Sequence, residues 1–178
     1  MRVLIVYSSK YGSTKGIAER IARTIESTGH QAAAVSAAHA GPLDGYDAYV
    51  VGSALYMFSW LKEAKDFVVD NGEVLSEKPV WLFSSGPIGS AKTDDKGRDV
   101  RESAGPKELA ELVAAVHARE HRVFFGAFDH TKLNVTHRIV YAMPAAKKLF
   151  VDGDFRDWDE IDGWAKGIAT ALVPAGVS

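Results

Sequence analysis

Residues 3–22, VLIVYSSKYGSTKGIAERIA, place an apolar run, a short polar loop and the start of an amphipathic helix in direct succession. The run at residues 3–7 is rich in β-branched residues and lacks polar alternation, which is typical of a strand buried on both faces of a parallel sheet. Beyond the loop, isoleucines recur at helical spacing, at Ile17, Ile21 and Ile25. The stretch therefore predicts a strand, a loop and a helix.

The same alternation continues along the chain. Further apolar runs predict strands at residues 31–36, 47–53, 79–84 and 122–128. Apolar residues at helical spacing predict helices between them, at residues 60–70 and 107–118, and a last helix capped by Asp157. Five strands alternating with helices predict an α/β fold, a doubly wound parallel sheet with helices on both faces.

Two segments interrupt this alternation. Residues 88–106 are small, polar and of mixed charge, and we expect a long mobile loop. Residues 129–156 mix basic and apolar side chains, and we expect a helix broken or restarted at Pro144. The second segment either packs on the sheet edge or contacts a partner, a substrate or a membrane surface. With these two insertions, residues 1–178 are predicted to form a single domain.

Composition excludes several classes of protein. The chain has 178 residues and a formal net charge of -2, with no basic patch that would indicate nucleic-acid binding. It has no cysteine, which excludes disulfides, thiolate catalysis, zinc-thiolate sites and iron–sulfur clusters. The first apolar run is too short for a signal peptide, and no run reaches the length of a membrane span, so we expect a cytoplasmic protein.

In a doubly wound sheet, ligands bind beyond the carboxyl ends of the strands. The loop after the first strand offers hydroxyl groups, a glycine and a helix N-terminus, a combination that suits a phosphate group. It matches neither the nucleoside triphosphate motif G-x-x-x-x-G-K-S/T nor the dinucleotide motif G-x-G-x-x-G. A monophosphate fits better, and the alternative is a turn that only caps the helix.

The loops after the third and fourth strands extend this picture. The sequence SALYMFSW, residues 53–60, places large apolar side chains where a soluble protein exposes few, so that a flat ring could stack there. The sequence SSGPIG, residues 84–89, leaves backbone groups free to meet a polar ring edge. Together the three loops predict a clamp for a phosphate tail and an aromatic ring.

These motifs resemble the flavodoxin family, whose phosphate loop has the form S/T-x-S/T-G-x-S/T. Here it reads Ser9-Lys10-Tyr11-Gly12-Ser13-Thr14, with Tyr11 in place of the usual small hydroxyl residue. The resemblance covers the whole chain. YSSKYGSTKGIAERIA, VVGSALYMFSW and DFRDWDEIDGWAKGIA are most similar to the branch of bacterial quinone-dependent protoporphyrinogen oxidases.

The resemblance implies a five-stranded sheet in the order 2-1-3-4-5 and a non-covalently bound FMN. It implies three groups of cofactor-binding residues: Ser9, Lys10, Tyr11, Gly12, Ser13 and Thr14 at the phosphate, Ala54, Leu55, Tyr56 and Met57 against the isoalloxazine ring, and Ser84, Ser85, Gly86 and Pro87 along its pyrimidine edge. Redox chemistry then belongs to the flavin, and no catalytic side chain and no metal ligand is assigned.

Three functional hypotheses follow. The first is an FMN-dependent oxidoreductase that takes electrons from a small organic donor, such as a porphyrinogen, and passes them to a quinone or protein acceptor. The second is an electron-carrier flavodoxin, and the third is a cofactor-free binding module. The near-neutral charge and the basic, apolar 129–156 segment favour the first hypothesis, with peripheral membrane contact through residues 132–150. The donor, the acceptor, the oligomeric state and the choice between FMN and a deazaflavin are left open.

Two further patterns add no residues to the predicted functional site. His117 and His121 match the H-x-x-E-H spacing of inverted zinc peptidases, but they fall at the cationic end of a predicted helix, which needs no metal. The loop after Gly52 contains no glycine through Phe58. We therefore expect this loop to resist left-handed backbone conformations, which would favour two-electron chemistry of the bound flavin.

Overall fold

The computed structural model describes residues 1–89, 91–143 and 151–173. Its strands and helices follow in chain order: β1 (Arg2–Ser8), α1 (Ser13–Ser27), β2 (Gln31–Ser36), β3 (Ala48–Tyr56), β4 (Ser59–Trp60), α2 (Lys62–Asp70), α3 (Gly72–Ser76), β5 (Val80–Ser85), α4 (Leu109–Val116), β6 (Glu120–Phe124), β7 (Ala127–Phe128), α5 (Val135–Tyr141), β8 (Gly153–Asp154) and α6 (Trp158–Leu172).

Five parallel strands form the central sheet in the spatial order β2-β1-β3-β5-β6. Counted along the chain, this is the predicted order 2-1-3-4-5, and the predicted fold class is confirmed. Within β1, alternate residues point to opposite faces, so that Val3 and Ile5 pack under α1 and α6 while Leu4 and Val6 pack under α2, α3 and α4. Burial on both faces explains why the strand carries an uninterrupted apolar run.

The predicted strand at residues 122–128 is wrong in its extent. β6 spans Glu120–Phe124, and the chain then leaves the sheet to form β7, which pairs antiparallel with β8 in a separate two-stranded sheet. The departure occurs at Gly126, whose N–H donates to the Pro87 carbonyl at 2.9 Å. A Cβ at Gly126 would lie 3.3 Å from Ser85 Oγ and 3.4 Å from Ser13 Oγ, so the close approach favours glycine there.

Residues 107–118 are also shorter as a helix than predicted. α4 ends at Val116, and His117 caps it in a left-handed conformation with φ 49°. His121 then lies in strand β6. The two histidines of the H-x-x-E-H match therefore do not share a helical turn, which removes the geometry that an inverted zinc peptidase motif requires.

The first insertion is more ordered than its composition predicts. Asp94 accepts two backbone N–H groups and pairs with Arg98, which closes a turn within the segment. Arg101 pairs with Asp99 at the same end of the segment and reaches Glu160 on α6 at 2.6 Å. The insertion is therefore tied to the body of the domain by charged contacts.

The second insertion contributes α5 and β8 to the structure, and β8 pairs with β7, which directly precedes the insertion. The predicted break at Pro144, and the basic residues Lys147 and Lys148, lie outside the described residues. In the part of the chain that is described, every helix is too short or too polar to cross a membrane.

Candidate functional site

An open cleft lies at the carboxyl edge of the sheet, where the loops after β1, β3 and β5 meet. Eleven of the fourteen predicted binding residues line it: Ser9, Lys10, Tyr11, Gly12, Ser13, Thr14, Ala54, Leu55, Tyr56, Ser85 and Gly86. Met57, Ser84 and Pro87 do not. The cleft therefore brings together residues that are more than 70 positions apart in the sequence.

Residues 9–14, here called the phosphate loop, end at the N-terminus of α1. Gly12 occupies the N-cap position in a left-handed conformation with φ 91°, and no side chain caps the helix. The first turn also carries no acidic residue. The uncapped N–H groups and the positive end of the helix dipole therefore face the cleft without a competing anion on the helix, which suits a phosphate.

Thr14 gives the clearest sign that this loop suits an anion. Its side chain is fully buried, yet its Oγ1 has no hydrogen-bond partner, and it is the one buried side-chain polar atom in this condition among the described residues. A buried hydroxyl without a partner costs about 1–3 kcal/mol. A phosphate oxygen bound at the phosphate loop would supply the acceptor, so the residues present fit a phosphate monoester.

Ser13 is already engaged in holding the site together. Its Oγ accepts the N–H of Ala127 at 2.8 Å and lies 3.4 Å from Ser85 Oγ. Gly12 N–H donates to Ser9 Oγ at 3.1 Å. The bond to Ala127 fixes the phosphate loop against the segment that follows β6, and the bond between Gly12 and Ser9 lies within the loop itself.

The charged residues that line the cleft are mostly cationic: Lys10, Lys132 and Arg156, against the single carboxylate of Asp129. The Arg156 guanidinium donates to the Ser13 carbonyl at 3.3 Å, pairs with Asp154 and lies 4.4 Å from the Trp158 ring centroid. Its position beside the start of α1 adds positive potential where the phosphate loop lies.

Sequence reasoning missed the wall of the cleft formed after β6: Gly126, Ala127, Phe128, Asp129, Lys132 and Arg156. No local motif marks these residues, because they reach the cleft only through the β7–β8 pairing. One signal was present. The stretch DFRDWDEIDG, residues 154–163, contains Arg156, is part of the resemblance and runs into the last helix.

The opposite lip of the cleft is a tight hairpin. β3 continues past the sheet edge and pairs antiparallel with β4, and the two-residue turn between them is Met57–Phe58. Both residues adopt left-handed conformations, with φ 51° and 59°. The expectation that this loop resists such conformations is therefore wrong, and the loop gives no support to two-electron over one-electron chemistry of a bound flavin. The right-handed twist of a hairpin favours turns of this type and imposes them here without glycine.

Tyr56 lies between the hairpin turn and the phosphate loop. The loss of solvent around its hydroxyl, with a smaller contribution from Tyr11, raises the pKa of Tyr56 to about 12. The Lys10 ammonium lies 5.1 Å from its ring centroid. Tyr56 is therefore a neutral aromatic wall at any physiological pH.

Ser84 serves the interior rather than the cleft. Its side chain is fully buried, and its Oγ accepts the indole N–H of Trp60 and contacts His121 Nε2, both at 2.8 Å. Burial lowers the pKa of His121 to about 4. The prediction that Ser84 lines the pyrimidine edge is not supported, because its hydroxyl already connects the hairpin to strand β6.

Three side chains of the kinds that can bind a metal ion lie close together beside the cleft. Atoms of Asp129, His130 and Asp152 fall within 4.8 Å of one another. Asp152 accepts the backbone N–H of His130 at 2.8 Å and contacts its Nδ1 at 2.6 Å, and these contacts hold the pKa of Asp152 below its usual range. Hydrogen bonding accounts for this arrangement, which ties the turn before α5 to β8.

Comparisons with known proteins agree with this geometry. The family model described as "Flavodoxin domain" matches residues 4–148. A flavodoxin from the domain Archaea aligns with a TM-score of 0.59 and 18% identity over 96% of this chain and 98% of its own. Oxidised flavodoxin 1 from Bacillus cereus aligns with a TM-score of 0.61 and 15% identity over 97% and 100%.

A further structural match is part of a larger enzyme. Rubredoxin oxygen:oxidoreductase from Desulfovibrio gigas aligns with a TM-score of 0.59 and 16% identity over 96% of this chain and 36% of its own. Identities this low show a common fold, whereas the family model identifies the family. The predicted cofactor, FMN, is confirmed at the level of the family. The chain belongs to the flavodoxin family, whose members are FMN-binding flavoproteins.

Proposed function

We propose that this protein is an FMN-dependent oxidoreductase that oxidises a small organic donor, a porphyrinogen in the first instance, and passes the electrons to a quinone. When bound, FMN supplies reversible one- and two-electron redox chemistry. The phosphate loop would hold its phosphate, with Thr14 Oγ1 gaining the acceptor that it lacks and Lys10 and Arg156 balancing the charge. Leu55 and Tyr56 would form one wall of the ring site, and Ser85 and Gly86 would lie along its edge.

One observation carries the choice of an enzyme over an electron carrier. The lip of the cleft exposes Tyr56, Met57 and Phe58, with Met57 90% exposed, and the cleft has a cationic rather than an acidic lining. Docking to a basic protein partner would favour an acidic rim. An apolar lip beside a redox cofactor instead favours an uncharged organic substrate.

The test is turnover with each class of partner. FMN-loaded protein is mixed under anaerobic conditions with protoporphyrinogen IX and menadione, and porphyrin fluorescence is followed over time. We expect oxidation that depends on both the protein and the quinone. Electron transfer to a redox protein without any turnover of the porphyrinogen would favour the electron-carrier alternative.

We also propose that residues 132–150 contact a membrane surface. In the described part of this segment, Val135, Ile139 and Met143 follow one another at four-residue spacing and are 74%, 67% and 60% exposed. Arg138, one turn beyond Val135, is exposed as well. An exposed apolar stripe beside a cation is typical of a helix that lies at the interface of an anionic bilayer.

The inner side of the same segment supports this orientation. His137 hydrogen-bonds to the Tyr11 hydroxyl, and Tyr141 stacks on His130 at 5.3 Å between ring centroids. These contacts attach α5 to the mouth of the cleft and direct the stripe outward. Co-sedimentation with phosphatidylglycerol vesicles should fall in an Arg138→Glu/Ile139→Ser variant, and a Val69→Ser variant, altered at an exposed apolar position on α2, is the control. Equal sedimentation of all three proteins would remove the membrane proposal.

A further inference from the structure

A second groove adjoins the cofactor cleft on the far side of the hairpin. One wall is the hairpin turn Met57–Phe58, and the other is the first insertion, at Val100, Ser103 and Ala104. Pro87 also lines it. Leu55 and Gly86 line both this groove and the cofactor cleft. A ligand in this groove, here called the hairpin groove, would therefore lie beside a ligand in the cleft.

Hydrogen bonds to the residues directly before α4 hold the hairpin wall of the groove in place. The N–H of Lys107 donates to the Phe58 carbonyl at 2.8 Å. Glu108 accepts from Ser59 Oγ at 2.7 Å and from the N–H of Trp60 at 2.9 Å. These bonds hold the turn in place although left-handed backbone is unfavourable for residues that carry a side chain.

Such strain is found where a protein needs a particular presentation of side chains. Here the strained turn exposes two large apolar side chains to solvent, with Met57 90% and Phe58 57% exposed. A hairpin with the usual Asn-Gly turn would avoid both the strain and the exposure. The sequence keeps Met57 and Phe58, so a ligand that covers them would explain both features.

The size and chemistry of the groove indicate the class of this ligand. Its volume is about 330 Å³, near the lower end of the range for small-molecule sites. None of the described residues that line it is charged, and the hydroxyl of Ser103 already contacts the Val100 carbonyl at 3.3 Å. A ligand there gains contact area with apolar atoms but few hydrogen bonds from side chains, which favours an uncharged compound of one or two rings.

The flavin ring itself fits the groove less well than the cleft. The pyrimidine edge of an isoalloxazine carries several hydrogen-bonding groups, and burying them against apolar side chains without partners is costly. We propose that the hairpin groove binds the electron acceptor, an uncharged quinone of one or two rings. This assignment rests on the proposed function, since it gives the quinone a place next to the cofactor through Leu55 and Gly86.

The methionines of this chain offer a direct test. There are three, Met1, Met57 and Met143, of which only Met57 lines the groove. Protein labelled with ¹³C at the methionine methyl groups is titrated with menadione, with and without FMN, and a Met57→Leu variant assigns the spectrum. We expect the Met57 methyl signal to shift and to saturate, while the Met143 signal stays in place.

A charged side chain in the groove provides the matching variant. Ala104→Glu should weaken menadione binding about tenfold or more, because a carboxylate would have to be buried against the ring. Ala114→Glu adds the same charge at an exposed position of α4 that lines neither the groove nor the cleft, and should leave binding unchanged. The affinity of the Ala104→Glu apoprotein for FMN should also equal that of the parent.

Three results would decide against one proposal or the other. A Met57 signal that does not move on addition of menadione would overturn the groove assignment. So would an Ala104→Glu variant whose FMN affinity falls as far as its menadione affinity, since the flavin ring would then occupy the groove. A protein that binds menadione at Met57 but takes up no FMN would instead overturn the proposed function and leave the groove assignment supported.

Discussion

The two ends of the cofactor cleft are built in different ways. The phosphate loop is a single stretch of six residues that ends in an uncapped helix and leaves the buried hydroxyl of Thr14 without a partner. The hairpin end combines β3, β4 and the first insertion, and it exposes Met57 and Phe58 on a strained turn. At the first end a buried hydroxyl lacks a hydrogen-bond partner, and at the second end two large apolar side chains are exposed to solvent. The first end therefore suits the phosphate of a ligand in the cleft, whereas Met57 and Phe58 line the hairpin groove, where a second, apolar ligand would cover them.

The largest expected effect tests the phosphate loop. Replacing Ser13 and Thr14 by alanine should weaken FMN binding by roughly 3 kcal/mol or more, since each hydrogen bond to a charged acceptor contributes about 1.5–3 kcal/mol. Ser13 also loses its bond to the Ala127 N–H. Quenching of FMN fluorescence on titration with apoprotein measures the effect, and Thr14→Ser, which keeps the hydroxyl, is the control. Equal affinity of the double variant and the parent would show that the phosphate binds elsewhere.

A single substitution at Thr14 should change the affinity for FMN and the stability of the apoprotein in opposite directions. Thr14→Val keeps the shape of the side chain and removes the buried oxygen. The apoprotein should become more stable by about 1 kcal/mol, because an unpartnered polar group is no longer buried, while its affinity for FMN falls. Urea denaturation and FMN titration of the same sample measure both effects. If the stability of the apoprotein and its affinity for FMN both rose or both fell, the hydroxyl of Thr14 would not be a group that binds the phosphate.

The second prediction concerns the hydrogen bonds that brace the hairpin end. Burial lowers the pKa of His121 to about 4, whereas in the unfolded chain it is about 6.5. The unfolded state therefore takes up the proton first as pH falls, and stability present above pH 6.5 is lost between pH 6.5 and pH 4. The loss is on the order of 3 kcal/mol.

A variant without a titrating group isolates this contribution. His121→Gln keeps an acceptor for the Ser84 hydroxyl but does not titrate, so its free energy of unfolding should change much less between pH 7 and pH 4.5. Carboxylates with lowered pKa values, such as Asp99 and Asp162 at about 2, lose their contributions at lower pH and do so in both proteins. Parallel pH profiles of parent and variant would show that His121 is not a buried neutral group.

The same contrast explains what the sequence could predict. The parallel sheet and the phosphate loop follow from contiguous patterns, such as a buried strand running directly into a helix through residues 9–14, whereas the order of the strands is implied by the resemblance to the flavodoxin family. The wall with Arg156 and the hairpin groove could not be predicted in this way, because their residues meet only through the β7–β8 and β3–β4 pairings. Ser84 was misplaced for a related reason. Its neighbour Ser85 lines the cleft, and alternation along β5 directs Ser84 to Trp60 and His121.

The third prediction tests a residue of the cleft that the sequence patterns missed. Arg156→Gln should weaken FMN binding about fivefold to tenfold, because it removes a largely buried positive charge beside the phosphate loop. The affinity of the variant should also vary less with ionic strength. Lys15→Gln removes an exposed charge from the same helix end without altering the cleft lining, and should change FMN binding little. Equal losses in the two variants would reduce the role of Arg156 to that of general surface charge.

The smallest effect concerns the strain at the hairpin turn and is read from two substitutions of one residue. Met57→Ala removes the exposed side chain but keeps a Cβ in the left-handed conformation, whereas Met57→Gly removes both. Glycine adopts this conformation without steric cost but loses more backbone entropy on folding, so the glycine variant should exceed the alanine variant in stability by only about 1 kcal/mol. Denaturant unfolding of the two apoproteins measures the difference. Because Met57 is 90% exposed, little lost packing should obscure the comparison. Equal stability would mean that the turn relaxes in solution, and the hairpin groove would then lose the rigid wall on which its assignment depends.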